Sequence, residues 1–280
     1  MGHVFLVEVQ MRKIGLTVFL LVLGIANIFP FIFMVSSSFK PLGKIFEFPF
    51  RLIPYPFITE HYKNIFDPRY DFFLWYQNTI VMVILSLLVK CVIVSLTAYA
   101  FARLRFRGRS VIFLIFLAAL MLPGDATIIQ RYVIYKMLNL TDTVWALVLP
   151  AAFDVYFVFL LRQFFISIPN ELSEAAIIDG CGHFKVFYRI ILPLAKPALI
   201  TMMLFSFVWA WNDFTNPFIF ITDIKKQMLT VGIAMFQETK SQNHGMQMAA
   251  SSLALIPVII LFLFSQKFFI KGIATTGVKG

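Results

Sequence analysis

The stretch NTIVMVILSLLVKCVIVSLTAYAFA runs from Asn78 to Ala102 and carries one charge, Lys90. A helix needs about 20 apolar residues to cross the hydrocarbon of a bilayer. Inside the bilayer every backbone polar group must find a partner within the protein, which leaves helices and closed barrels. A barrel would read as alternating segments of about 10 residues, whereas the apolar runs here are continuous. The sequence therefore predicts an all-α polytopic membrane protein. Composition agrees: 60% of the 280 residues are hydrophobic and 14% charged, against roughly a quarter charged in soluble domains.

Six spans are expected, at about 14–35, 77–101, 111–130, 144–165, 197–221 and 251–270. They form a single transmembrane domain over 14–271, with an N-terminal extension at 1–13 and a tail at 272–280. The start Met11-Arg12-Lys13 followed by an apolar run resembles a signal peptide, but the run is too long and lacks a small-residue cleavage site, so it reads as an uncleaved first span. Residues 1–10 read as an upstream extension of the start. An even number of spans puts both termini on one side. The link ARLRFRGRS holds Arg103, Arg105, Arg107 and Arg109, and the positive-inside rule assigns it, both termini and the segment Glu171–Pro193 to the cytoplasm. The same rule accounts for the net charge of +10 better than nucleic acid does, because no basic soluble domain is present to bind it. Residues 36–76, rich in proline and aromatics, read as an external segment with a short interfacial helix. Residues 222–250 read as a polar outer loop.

No enzyme site emerges. The four histidines are scattered without metal-ligand spacing, Cys91 and Cys181 suit no disulfide, and no phosphate-binding glycine loop occurs. What remains is charge in unusual places. ELSEAAIIDGCGHFKVFYRIILP packs Glu171, Glu174 and Asp179 into nine residues between two apolar runs. Pro169 suits a helix start. Leu172, Ala175 and Ala176 fall on one face, and Gly180 stands where helices commonly end left-handed. A second short helix follows from about His183 and ends at Pro193. One reading is an interfacial amphipathic linker, although three carboxylates facing an anionic leaflet count against it. The other is a docking surface, since small alanines beside a carboxylate permit close approach.

EAAIIDG followed nine residues later by IILP resembles the EAA loop of permease subunits of binding-protein-dependent ABC importers. FLLRQFFISIPNELSEAA, ILPLAKPAL, WNDFTNPF and GIATTGVKG resemble the carbohydrate branch of that family, of the maltose-permease G type. The resemblance covers essentially the whole chain after residue 11. It implies a coupling helix that docks on a cytoplasmic ATPase through Glu171, Glu174, Ala175, Ala176, Asp179, Gly180 and Pro193, with Gly277 and Lys279 of the tail reaching towards the same partner. It also implies a second homologous permease, two ATPase copies that carry ATP and Mg, an external solute-binding protein and a carbohydrate substrate. This chain would hold no cofactor, sit in a bacterial cytoplasmic membrane and do no bond chemistry. Cys181-Gly182-His183 departs from the plain small-polar run expected there.

Charges inside the spans are costly, at least about 2.5–3.5 kcal/mol each at mid-bilayer, and usually pair or line a cavity. Lys90 and Asp154 fall near the midplane of their spans. They read either as an ion pair or as part of a translocation path. Trp211, Asn212 and Asp213, in VWAWNDFTNPF, read either as a sugar-contacting surface, with rings against C–H faces and polar groups on hydroxyls, or as interfacial anchors. Within the permease reading the alternative to an oligosaccharide is a glycerol-phosphate-type or acidic sugar solute; outside it, a membrane-embedded enzyme and an ion-coupled transporter are the competing classes. The first lacks an acid–base or metal cluster, and the second leaves the EAA loop without a purpose.

Overall fold

The computed structural model describes the backbone of residues 2–238 and 243–276, and the side chains of 12–124, 126–236 and 243–266. The elements are α1 (Gly2–Ser37), α2 (Glu60–Ile65), α3 (Phe72–Arg103), α4 (Arg109–Ala119), α5 (Ile128–Met137), α6 (Trp145–Ala152), α7 (Val155–Ser167), α8 (Asn170–Ile178), α9 (His183–Val186), α10 (Leu192–Leu194), α11 (Lys196–Trp211), α12 (Thr215–Phe220), α13 (Leu229–Glu238) and α14 (His244–Thr276). All the regular structure in the described residues is helical, as the apolar runs require.

Among the described residues, four helical stretches are long and apolar enough to cross a bilayer: Arg12–Ser37, Phe72–Arg103, Trp145–Ser167 and His244–Gln266. A bent pair, His183–Leu194 and Lys196–Trp211, which meet at 77°, is apolar enough to form a broken span or a re-entrant loop. The expected third span is not one helix. α4 has 11 residues, only about 16 Å of rise, and Pro123 follows where the chain turns into a 3-10 segment, Gly124–Thr127, before α5. The fifth expected span also stops early, at Trp211 rather than 221. Asp213 holds that break, accepting from the Asn216 backbone N–H at 3.1 Å and from Asn216 Nδ2 at 2.7 Å. The polar outer loop expected at 222–250 contains instead α13 and the start of α14, with Leu229, Val231, Phe236 and Met246 buried.

The chain divides into two compact units. The first takes residues 2–70 and 233–256. The apolar window of α1 has none of its surface buried. Beyond α1, a proline- and aromatic-rich segment is held by rings: Phe39 stacks on Phe57 at 4.7 Å and on Tyr62 at 5.0 Å. The Lys40 ammonium lies 4.2 Å from the Phe50 ring centroid. Burial lowers its pKa, with Glu47 opposing. His61 Nε2 bonds the Lys40 carbonyl at 2.8 Å. Gly245 is needed beside it, because a Cβ there would stand 2.2 Å from the imidazole.

The second unit takes residues 71–232 and 257–276 and is built around α3, which packs along α6, α7 and α11. Val94, Ala98, Phe157, Leu161, Ile191 and Met202 form the centre of its core. At the opposite end of α3 the loop after α12 is tied down by polar bonds. Trp75 Nε1 donates to the Ile224 carbonyl at 2.8 Å, and Asn78 Nδ2 donates to Lys225 and Gln227 carbonyls. Gly232 packs against the Trp75 ring so closely that a Cβ would lie 2.1 Å from it. Asp142 accepts from the Thr222 and Asp223 backbone N–H groups at 2.6 and 2.9 Å and from Thr222 Oγ1 at 2.7 Å.

Candidate functional site

Two constellations in the second unit carry the unusual charges. The first is the insert. Pro169 sits at the N-cap, just before α8, rather than inside its first turn. At the other end Gly180 adopts φ +80°. Its N–H donates to the Ile177 carbonyl at 3.0 Å, and the Cys181 N–H donates to the Ala176 carbonyl at 2.9 Å. This pair of bonds is the Schellman arrangement, which satisfies the last carbonyls of a helix and asks for a left-handed residue.

The faces of α8 differ from the sequence reading. Ser173 and Ala176, three residues apart, are the buried stripe. Ala176 joins the core while Leu172 and Ala175 stay exposed. Small residues turn inward where α8 packs back on α9 and the core. Outward go Glu171, Glu174, Asp179 and Ile178, the last 85% exposed. None of the three carboxylates forms an ion pair among the described residues. From Gly182 the chain continues as α9, a π turn at Phe187–Ile191, and α10. The departure at Cys181-Gly182-His183 leaves this second helix start intact. Pro193 lies inside α10, and the run ends one residue later at Leu194. Gly277 and Lys279 fall outside the described residues.

What fixes the insert was visible in the sequence only as an orientation signal. Arg103, the last residue of α3, donates to the Phe165 carbonyl at 2.7 Å, to the Ile168 carbonyl and to Asn170 Oδ1. It therefore closes the C-terminus of α7 and the N-terminus of α8 together. Tyr99 donates to the His183 carbonyl at 3.0 Å, one turn earlier on α3. Between these anchors lies a groove of about 620 Å³ bordered by Tyr99, Arg103, Arg105, Arg109, Glu174 and His183.

The second constellation is inside the bundle. Lys90 Nζ pairs with Asp154 Oδ2 at 2.9 Å, with the side chains 6% and 19% exposed. The ammonium also lies 5.2 Å from the Phe157 ring centroid. Asp154 has a second task. The helix through Trp145–Ser167 breaks at Phe153 and Asp154, and Asp154 Oδ1 accepts from the Phe157 N–H at 3.3 Å as N-cap of α7. The pair borders a cavity of about 210 Å³ that Asp213 also reaches. Trp211 and Asn212 do not line it. Trp211 is buried, stacked on Phe207 at 5.6 Å, and Asn212 Nδ2 bonds its own helix at the Val208 carbonyl. The described residues hold no cluster suited to a metal ion.

A bundle of apolar, repeatedly broken helices with a capped helix that turns its carboxylates outward is the build of a membrane transport subunit. Residues 92–275 match the family described as binding-protein-dependent transport system inner membrane component. The chain belongs to that family. It is 34% identical to the inner membrane ABC transporter permease protein YcjP of Escherichia coli, covering 95% of each chain. It is 30% identical to the arabinooligosaccharides transport system permease protein AraQ of Bacillus subtilis, covering 98% of each. Its fold is that of a chain in a crystal structure of a bacterial ABC transporter involved in the import of the acidic polysaccharide alginate, with a TM-score of 0.82 over 93% of this chain and 97% of that one at 24% identity. The protein is thus an ABC importer permease subunit.

Proposed function

We propose that this permease moves a carbohydrate, of oligosaccharide size, inward by alternating access driven by a separate ATPase. Relatives that carry arabinooligosaccharide and diacetylchitobiose uptake in their names support the solute class. The partners are a second homologous permease, two copies of the ATPase with their ATP and Mg, and an external solute-binding protein. The insert and the arginine link face the cytoplasm, because four arginines in one short link set orientation strongly, and with α4 and α5 together making a sixth crossing both termini lie on that side too.

The observation that carries this reading is the outer face of α8. A hydrophobic side chain, Ile178, is left 85% exposed beside three carboxylates without ion-pair partners among the described residues. An apolar anchor ringed by unpaired charge is the composition of a docking surface, and it suits a basic, cleft-bearing partner. Ala175 and Ile178 enter the cleft and Glu174 meets the partner's cation, while Ala176 belongs to the chain's own core. The test is a mild-detergent pull-down from native membranes of wild type and Glu174→Lys. Wild type brings down an ATPase and a second permease. The variant inserts normally, loses the ATPase and loses uptake. Wild-type uptake by Glu174→Lys at equal expression sinks the docking role of that residue.

A further inference from the structure

The groove beside α8 is basic, whereas α8 itself is acidic. Arg103, Arg105 and Arg109 border it from the end of α3 and the start of α4, and Asn170, Glu174 and His183 border it from the insert. A second hollow of about 500 Å³ lies over Arg105, Phe106, Arg109 and Val111, so the two share Arg105 and Arg109. The arginines differ in what holds them. Arg103 is spent on backbone carbonyls and Asn170, and Arg109 Nη1 is fixed by the Leu104 carbonyl at 3.1 Å. Arg105 and Arg107 are exposed and form no ion pair among the described residues. Opposing charge is scarce. Glu174 borders the groove, and the Glu171 charge acts on Arg103. Arg162, its guanidinium 4.0 Å from the Phe113 ring centroid, adds to the charge of Arg109. Five arginines against two glutamates, with His183 counted neutral, leave three positive charges.

The surface next to these arginines says which anion fits. α4 leaves Val111, Leu114 and Ile115 exposed, and Val111 borders the second hollow. Cationic side chains therefore give way, within one turn of helix, to a bare apolar face. A soluble anion uses the first of these surfaces, and an acyl lipid uses both. We infer that the arginine link and the start of α4 bind an anionic phospholipid of the cytoplasmic leaflet, with its phosphate on Arg105 and Arg109 and its acyl chains along α4. The inference rests on the cytoplasmic placement of the link in the proposed function and adds a ligand to it. Arg105 has no other partner to give up, and Arg109 is already oriented by Leu104. Asn170 Oδ1 accepts from Arg103, which leaves its Nδ2 to donate to the headgroup. A zwitterionic lipid offers the same phosphate without net charge, so the positive excess selects the anionic one. Glu174 and Ile177 also border the groove, so the bound headgroup touches α8 and steadies it from the membrane side.

The test places the purified complete importer in nanodiscs of phosphatidylcholine with a rising share of phosphatidylglycerol, and native mass spectrometry counts the lipid each complex keeps. Wild type is expected to keep phosphatidylglycerol in preference to phosphatidylcholine. Arg105→Gln raises the share needed for half occupancy about fivefold, the weight of one basic residue near an anionic lipid. Lys185→Gln, which removes an exposed charge of the insert outside the groove, leaves that share unchanged. Inorganic phosphate added at constant ionic strength does not displace the lipid. Equal retention of the two lipids, or an Arg105→Gln midpoint equal to that of Lys185→Gln, overturns the inference. Displacement by inorganic phosphate overturns it too, by assigning the groove to a soluble anion. Co-purification of the ATPase checks that each variant complex is intact. Carbohydrate uptake, measured separately in cells, tests the transport reading: lost lipid preference with uptake intact removes this site alone.

Discussion

The insert and the buried pair are both clusters of charge in a greasy chain, and they treat charge in opposite ways. Along α8, three carboxylates stay exposed and unpaired by any described residue while four arginines stand in the neighbouring link. In the bundle, Lys90 and Asp154 are closed on each other at 2.9 Å. Solvation explains the difference. Exposed ions gain at most about 1 kcal/mol from pairing, so α8 can keep its charges open for a partner at little cost. An ion in the low-dielectric interior must be compensated where it stands. Charge is left open to solvent in one region and is a structural obligation in the other.

The contrast is tested most severely by Lys90→Met. It leaves Asp154 buried without its counter-ion, an expected loss of about 3–5 kcal/mol, read as a collapse of folded yield in detergent size-exclusion. Adding Asp154→Asn to Lys90→Met removes the stranded charge and restores much of that yield. Normal yield from Lys90→Met with lost uptake would instead assign Lys90 wholly to the solute path. Arg103→Ala comes next. It strips bonds from the Phe165 and Ile168 carbonyls and Asn170, costing about 1–3 kcal/mol in thermal stability and loosening α8, so hydrogen exchange rises over Asn170–Ile178 specifically. An unchanged exchange pattern there would show that packing of Ser173 and Ala176 alone holds the helix. Gly180→Ala has open space for its Cβ, so its cost is the left-handed backbone alone, about 1–2 kcal/mol, read by the same melting assay.

The smallest effect concerns Asp142. Burial opposes its ionisation, but hydrogen bonds from Thr222 and Asp223 win and hold its pKa below the ordinary 3.8. The carboxylate is therefore favoured in the folded state. Its contribution is complete above pH 3.8 and fades as the pH falls through the lowered value. Melting curves of wild type and Asp142→Asn should converge across that acidic window, and parallel curves would remove Asp142 as the cause.

How far the sequence could be read follows from the range of each interaction. The insert is local. Pro169 and Gly180 lie within a dozen residues, and a Schellman cap is a property of that segment alone. The facing of α8 was missed because it depends on how the segment folds back on α9 and the core, which helical spacing alone does not encode. Arg103 was legible only as an orientation charge, since its acceptors are backbone carbonyls that no residue type advertises. The third span misled because hydropathy counts apolar residues through Pro123 without registering that the helix stops there. Lys90 and Asp154 invited pairing by depth. Ser206 gave no signal at all, since a serine within an apolar helix is ordinarily satisfied by its own backbone, whereas here its buried Oγ has no partner among the described residues.

The 77° junction at Ala195 has one more consequence. Beyond the insert, the chain runs through the π turn into two nearly perpendicular rods sharing a single corner. Such a corner works as a bell crank: a tug along the first rod arrives at the second mostly as a sideways swing. In the docking reading, force applied at α8 would reach α11, the helix bearing Ser206 and Trp209, as a swing across the first rod rather than a push along it.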